Sequence, residues 1–250
     1  MPELPEVETV RSGLESMIVG AKISDLKVYT PSVVVANPMQ IDALRGQTIV
    51  GCRRRAKYLI IDLSRDALLI HLRMTGQVLV KPVTVLTDVQ SLQALPFTYY
   101  QRPLMNLPDK HTHGVFRLDD GRELMYRDIR KFGRVHLLEQ EELAQWPALL
   151  KLGPEPLSKD FSLADFRRRL QKSQRKIKAL LLDQTQVAGL GNIYVDEALF
   201  VAGILPGRAA NSLKPAEIKA LHKAIPQVLQ KGIDAGGTSC GDRFAALLNK

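Results

Sequence analysis

Gly114-Val115-Phe116-Arg117-Leu118-Asp119-Asp120-Gly121-Arg122-Glu123-Leu124-Met125-Tyr126 decides how the first half of the chain is read. Two short runs of apolar and branched residues flank an Asp-Gly pair. Such a pair tolerates the positive φ that a tight hairpin demands, so the stretch predicts two antiparallel strands joined through Asp119–Arg122. Similar runs lie on both sides, at Ile23–Tyr29, Thr48–Arg53, Tyr58–Leu63, Ala67–Leu72, Gln77–Val80 and Arg134–Leu138. Many short strands with turn punctuation predict a β-sandwich or barrel.

The flanks read differently. Val7, Val10, Leu14 and Met17 recur at helical spacing, which predicts a helix from Pro5 to Gly20 with its apolar stripe packed on a larger body. Lys81–Lys110 holds four prolines and has no period, and it reads as a surface insertion. Trp146–Pro156, rich in Pro and Gly, reads as a linker. Beyond it, helices are predicted from Ser162 to Leu170, Ile177 to Leu182, Asn192 to Ala202 and Pro215 to Ile233. The class is therefore α+β: a strand domain over 1–140 carrying insertion 81–110, a linker over 141–157, and a helical domain over 158–250.

The net charge of +9 in 250 residues favours a polyanionic partner, of which nucleic acid is the commonest. Two distant cysteines, Cys52 and Cys240, form neither a disulfide framework nor a zinc site and fit a reducing cytoplasm. No apolar run is long enough to span a bilayer. The start lacks the basic and apolar segments of a signal peptide, so trimming at Met1 is the only processing expected.

That trimming matters chemically. It turns Pro2 into a terminal secondary amine beside the carboxylate of Glu3. At pH about 7.5 roughly a third of a terminal amine is unprotonated, against about one in a thousand for lysine. Pro2 is thus a candidate nucleophile with a neighbouring proton carrier. Farther on, a basic run (Arg167, Arg168, Arg169, Lys172, Arg175, Lys176, Lys178) precedes Gly189-Leu190-Gly191-Asn192-Ile193-Tyr194. A two-glycine turn opening a helix offers backbone N–H groups as a phosphate seat.

The motifs taken together resemble the formamidopyrimidine-DNA glycosylase and endonuclease VIII family. They are Pro2-Glu3-Leu4-Pro5-Glu6-Val7-Glu8-Thr9, Arg54-Arg55-Ala56-Lys57-Tyr58, His71-Leu72-Arg73-Met74-Thr75-Gly76, Arg127-Asp128-Ile129-Arg130-Lys131-Phe132-Gly133, Leu152-Gly153-Pro154-Glu155-Pro156-Leu157 and the Gly189–Tyr194 turn. The resemblance implies an N-terminal helix with a β-sandwich, then a helical domain with a helix-two-turn-helix. It implies a monomer that removes damaged bases from double-stranded DNA and cleaves at abasic sites. It assigns Pro2, Glu3 and Lys57 to catalysis, and Glu6 and Lys178 to the base pocket. It assigns His71, Asn192, Arg175 and Lys176 to DNA phosphates, and Met74, Arg130 and Phe132 to the void left by an extruded nucleotide. The Met-Arg-Phe set resembles the formamidopyrimidine branch, which implies oxidised purines as substrates.

The resemblance has a gap. The family ends in a four-cysteine zinc finger, and this sequence has no such set, so no metal or cofactor is expected and DNA affinity should be weaker. Two readings follow: a glycosylase with lyase activity, or a DNA-binding relative that recognises damaged, abasic or single-stranded DNA with poor turnover. The expected location is the cytoplasm, at the nucleoid.

Overall fold

A computed structural model describes residues 1–81 and 107–237. Most of the insertion expected at 81–110, Cys240 and the rest of the C-terminal stretch lie outside the described residues. Two compact units emerge: Met1–Pro2 with Val7–Gln145, and Glu3–Glu6 with Trp146–Gly237.

In the first unit the predicted hairpin forms. Strands β7 (Thr112–Leu118) and β8 (Glu123–Asp128) pair antiparallel, with Phe116 opposite Leu124. Gly121 adopts φ 88° and donates its N–H to the Leu118 carbonyl at 3.1 Å, closing the turn. With β1 (Ile23–Val28) and β6 (Gly76–Lys81) they make a sheet ordered β1-β7-β8-β6. The second sheet runs β2-β9-β5-β4-β3, from Val34–Val35, Arg134–Glu139, Asp66–His71, Tyr58–Leu63 and Ile49–Arg55. All pairs are antiparallel except β2 with β9.

Runs of apolar residues along the strands decide what is buried. Leu59, Ile61 and Leu63 of β4 share one core with Val78 and Val80 of β6 and with Phe116 and Leu118 of β7, so the two sheets pack face to face. Burying each such side chain contributes about 2 kcal/mol, so this interface dominates the unit's stability. Helix α1 (Leu4–Ile18) lays Val7, Val10, Leu14 and Ile18 into that core, with Met17 at its margin. A short helix α2 (Pro38–Leu44) was not anticipated from periodicity. Its signal is chemical: Asn37 Oδ1 accepts from Gln40 N–H and Gln40 Oε1 from Asn37 N–H, each at 2.9 Å, with proline in the first turn.

Short helices α3 (Gln140–Ala144) and α4 (Pro147–Leu150) occupy part of the stretch read as a linker. Its end is bound into the helical unit. Gly153 N–H reaches the Gln184 carbonyl at 2.8 Å, and a Cβ there would lie 2.6 Å from the Thr185 carbonyl. That unit comprises α5 (Leu163–Gln171), capped by Ser162 Oγ, then α6 (Ile177–Leu181), α7 (Asn192–Val201) and α8 (Pro215–Asp234). Phe166, Ile177, Tyr194, Val195, Leu221 and Ile225 form its core, which also takes in Leu4.

Candidate active site

Glu3 is 3% exposed, and its carboxylate sits on the N-terminus of α7. Oε2 accepts from Gly191 N–H at 2.7 Å and Tyr194 N–H at 3.3 Å, and Oε1 from Ile193 N–H at 2.9 Å. An ionised carboxylate offers about four acceptor positions and no donor, so it suits three amides at the positive end of a helix. This corrects one expectation. The amides read as a phosphate seat are taken by the chain's own anion, because a carboxylate delivered from the N-terminus is already in place. Gly191 makes room for it: a Cβ there would lie 2.3 Å from the Glu3 carboxyl carbon.

Glu6 fixes the main chain of Glu3. Its Oε2 accepts from Glu3 N–H at 2.9 Å, and its Oε1 from the Tyr194 hydroxyl at 3.1 Å. Leu4 N–H adds a bond to the Gly189 carbonyl at 3.0 Å. Gly189, at φ +96°, packs directly on the Leu4 side chain. Pro2, immediately before this clamp, is buried in a chain that still carries Met1.

Lys57 and His71 come together in the strand unit. Lys57 is buried in the turn just before β4 and follows Ala56, which has the left-handed φ of 52°. Tyr58 pairs with His71 across β4 and β5, their rings edge-on at 4.7 Å. Burial, together with the charges of Arg73 and Lys57, lowers the His71 pKa to about 4, so the ring is neutral at pH 7. Arg73 N–H donates to Nδ1 at 3.1 Å, which leaves the proton on Nε2. Thus His71 offers a donor without a charge.

The three void-filling candidates stand on two loops. Met74 is 44% and Phe132 50% exposed, high for such apolar side chains, and the Arg130 guanidinium lies 4.6 Å over the Phe132 ring. Each loop contains a non-glycine residue in the left-handed region, Arg73 at φ 54° and Lys131 at φ 57°. Asp128, fully buried, ties the loops together. Its Oδ1 accepts from the Thr75 hydroxyl and from Arg130 N–H at 3.1 Å, and its Oδ2 from Gly133 N–H at 2.8 Å. His113 donates to the Asp128 carbonyl at 2.8 Å from below. Asp128, Thr75 and Tyr194 lie inside the quoted motifs, yet sequence reading gave them no role. Only contacts reveal one, since an Asp or Thr in a turn is ordinarily a local cap.

The helical candidates are more dispersed. Asn192 is exposed as the first residue of α7, while Gly191 holds the cap position. Arg175 is engaged by Asp183 at 2.7 Å, and Lys176 is exposed. Lys178 pairs with Asp196 at 2.8 Å on the wall of a cavity of about 740 Å³ with Phe200 and Leu205. Glu6 is not among the residues lining that cavity. Among the described residues no cluster of His, Cys, Asp or Glu could hold a metal. Cys52, their only cysteine, is buried with its thiol pushed up to about 12 by desolvation, which does not suit a zinc thiolate. No helix among the described residues is long and apolar enough to cross a membrane.

Two family models match the chain: the formamidopyrimidine-DNA glycosylase N-terminal domain over residues 1–135 and the H2TH domain of the same glycosylase over 152–243. The formamidopyrimidine-DNA glycosylase of Geobacillus kaustophilus is 45% identical over 243 residues, covering 96% of this chain and 81% of its own length. That of Enterococcus faecalis is 44% identical over 249 residues, covering 99% and 81%. Among solved structures, the Lactococcus lactis enzyme bound non-covalently to DNA containing an abasic site aligns with TM-score 0.80 at 40% identity, over 95% of this chain and 82% of that one. The Lactococcus lactis G226P mutant with DNA containing Fapy-dG aligns with TM-score 0.81 at 40% identity, over 96% and 81%. With the two family models together covering most of its length and relatives this similar over nearly the whole of it, the chain belongs to the formamidopyrimidine-DNA glycosylase family.

Proposed function

We propose that this protein is a bifunctional glycosylase and abasic-site lyase of base-excision repair that removes oxidised purines, 8-oxoguanine and formamidopyrimidines, from double-stranded DNA. The observation that carries the reading is the Glu3 carboxylate, pinned by three amides next to Pro2. Once Met1 is removed, the Pro2 nitrogen bonds to C1′ of the damaged nucleotide as the C1′–base bond breaks. The base leaves with a proton, and ring opening converts the adduct to an iminium ion. Its electron demand acidifies C2′–H; loss of that proton expels the 3′ phosphate, a second elimination expels the 5′ phosphate, and water then releases the amine. The three amides fix the direction of the Glu3 carboxylate beside Pro2, from which it moves a proton at the sugar.

In this reading Lys57 and the Nε2–H of His71 hold phosphates, joined by Asn192, Arg175 and Lys176. Glu6 and Lys178 face the base. Met74, Arg130 and Phe132 occupy the stack when the nucleotide turns out, where two apolar groups and a cation offset the lost stacking and pairing. The reacting amine activates the sugar itself, so the proposed chemistry uses no metal or cofactor. The relatives with abasic and Fapy-dG DNA support this substrate choice. In this reading the protein acts as a monomer at the bacterial nucleoid.

Borohydride trapping on an 8-oxoguanine:cytosine duplex tests the reading. A covalent adduct is expected with the trimmed chain, and none with Pro2→Gly or with Met1 retained behind a tag. Specific binding with no adduct on any lesion overturns it in favour of a damage-binding relative.

A further inference from the structure

The loop carrying Met74 and the loop carrying Arg130 and Phe132 belong to different strand connections. Thr75 precedes β6, and residues 129–133 join β8 to β9. One would expect them to move independently. Instead both are rooted in a single buried carboxylate. Asp128 accepts from the Thr75 hydroxyl on one loop and from Arg130 and Gly133 N–H on the other. Arg130 N–H is shared with Thr75 Oγ1 at 3.2 Å, so the two loops also touch directly. Beneath them Gly76 and Gly133 both press on one phenol: a Cβ would lie 2.5 Å from the Tyr126 hydroxyl at Gly76 and 1.7 Å at Gly133.

We infer that Asp128 and Thr75 are positioning residues that lock these two loops into one rigid wedge, so that Met74, Arg130 and Phe132 enter the DNA stack as a set. This inference rests on the void-filling reading above. Independent loops would lose conformational freedom separately on entering the duplex; the shared carboxylate removes that freedom beforehand, within the folded protein. Neither residue touches DNA in this account.

The variant to make is Thr75→Val, which keeps the shape and deletes both the donor to Asp128 and the acceptor for Arg130 N–H. Thr75→Ser restores the hydroxyl. The probe is a duplex with a stable tetrahydrofuran site and 2-aminopurine opposite it, whose fluorescence rises when the stack is opened. Loss of a hydrogen bond to a charged group predicts about a tenfold fall in the rate of that rise for Thr75→Val, with recovery in Thr75→Ser. Borohydride trapping should fall about fivefold more on an abasic duplex than on an abasic single strand, which has no stack to open. Thermal melting confirms that the variant is folded. A Thr75→Val protein with the parent fluorescence rate overturns the inference, as does an equal loss of adduct on duplex and single strand. If the parent chain forms no adduct at all, the catalytic reading fails, while the fluorescence still decides whether the loops act together.

Discussion

Glu3 and Asp128 are both buried carboxylates that accept three hydrogen bonds, one in each unit, and the comparison separates two ways of using the same group. Glu3 is brought by the start of the chain to amides 188 to 191 residues away. Those donors belong to a helix that would exist without it, so the carboxylate is the part being held. Asp128 takes two of its three donors from residues at most five positions ahead, and the third from Thr75. There the carboxylate does the holding, since residues 129–133 have no helix or strand of their own. Losing the first arrangement should chiefly affect chemistry; losing the second should chiefly affect loop shape.

The largest break in that contrast is Gly191→Ala. The new Cβ would lie 2.3 Å from the Glu3 carboxyl carbon and 2.4 Å from Oε1, so the carboxylate must leave its seat. Gly191 sits at φ −129°, which alanine adopts without strain, and the helix keeps its other contacts. Base excision should fall about 10²–10⁴-fold, the range for losing a positioned proton carrier, with little change in melting temperature. Excision at the parental rate in single-turnover assays would show that the seated carboxylate is not used.

Next comes Gly133→Ala, at the root of the Asp128 arrangement. Its Cβ would meet the Tyr126 hydroxyl at 1.7 Å and the His71 carbonyl at 2.8 Å. Overpacking of this kind costs about 1–3 kcal/mol, to be read by urea unfolding. Tyr126→Phe removes the nearer obstacle but not the carbonyl, so the double variant should recover part of the loss, with coupling of about 1 kcal/mol. Strict additivity would mean that the phenol is not what excludes a side chain there.

How far these arrangements could be read in advance follows from the same physics. The strands were legible because strands buried in a sandwich read as short apolar, branched runs between turn residues, and all eight sequence-read strand positions match. Helices α5 to α8 were legible from caps and prolines such as Ser162 and Pro215. Strand β2 was not, since two residues carry no period, and α2 announces itself only through Asn37. The insertion and the end of the chain remain sequence-level expectations. Of the site, the roles came from resemblance, whereas the hydrogen-bond geometry did not. Nothing in the Gly189–Tyr194 turn says which anion sits on its amides; Glu3 wins because it is covalently delivered, where a phosphate must be captured. Asp128 reads as one more turn residue until its three donors are counted. Nor does sequence reading show that the Lys178 ammonium is paired with Asp196.

The smallest expected effect uses two tyrosines of almost equal burial. Tyr194 and Tyr126 are each 1% exposed, and each hydroxyl is crowded by a glycine, Gly232 against Tyr194 and Gly133 against Tyr126. The Tyr194 hydroxyl donates to Glu6, and thereby steadies the residue that fixes Glu3. The Tyr126 hydroxyl has no hydrogen-bond partner among the described residues. A buried phenol without a partner carries its desolvation cost uncompensated, whereas one bonded to a carboxylate recovers that cost. Tyr126→Phe should therefore be neutral or stabilising by up to about 1 kcal/mol, and Tyr194→Phe destabilising by about 1.5–3 kcal/mol with slower excision. Paired urea melts check the signs. If Tyr126→Phe destabilises as much as Tyr194→Phe, the phenol at the loop roots has a partner that makes it a structural equal of Tyr194, and the wedge is held from below as well as through Asp128.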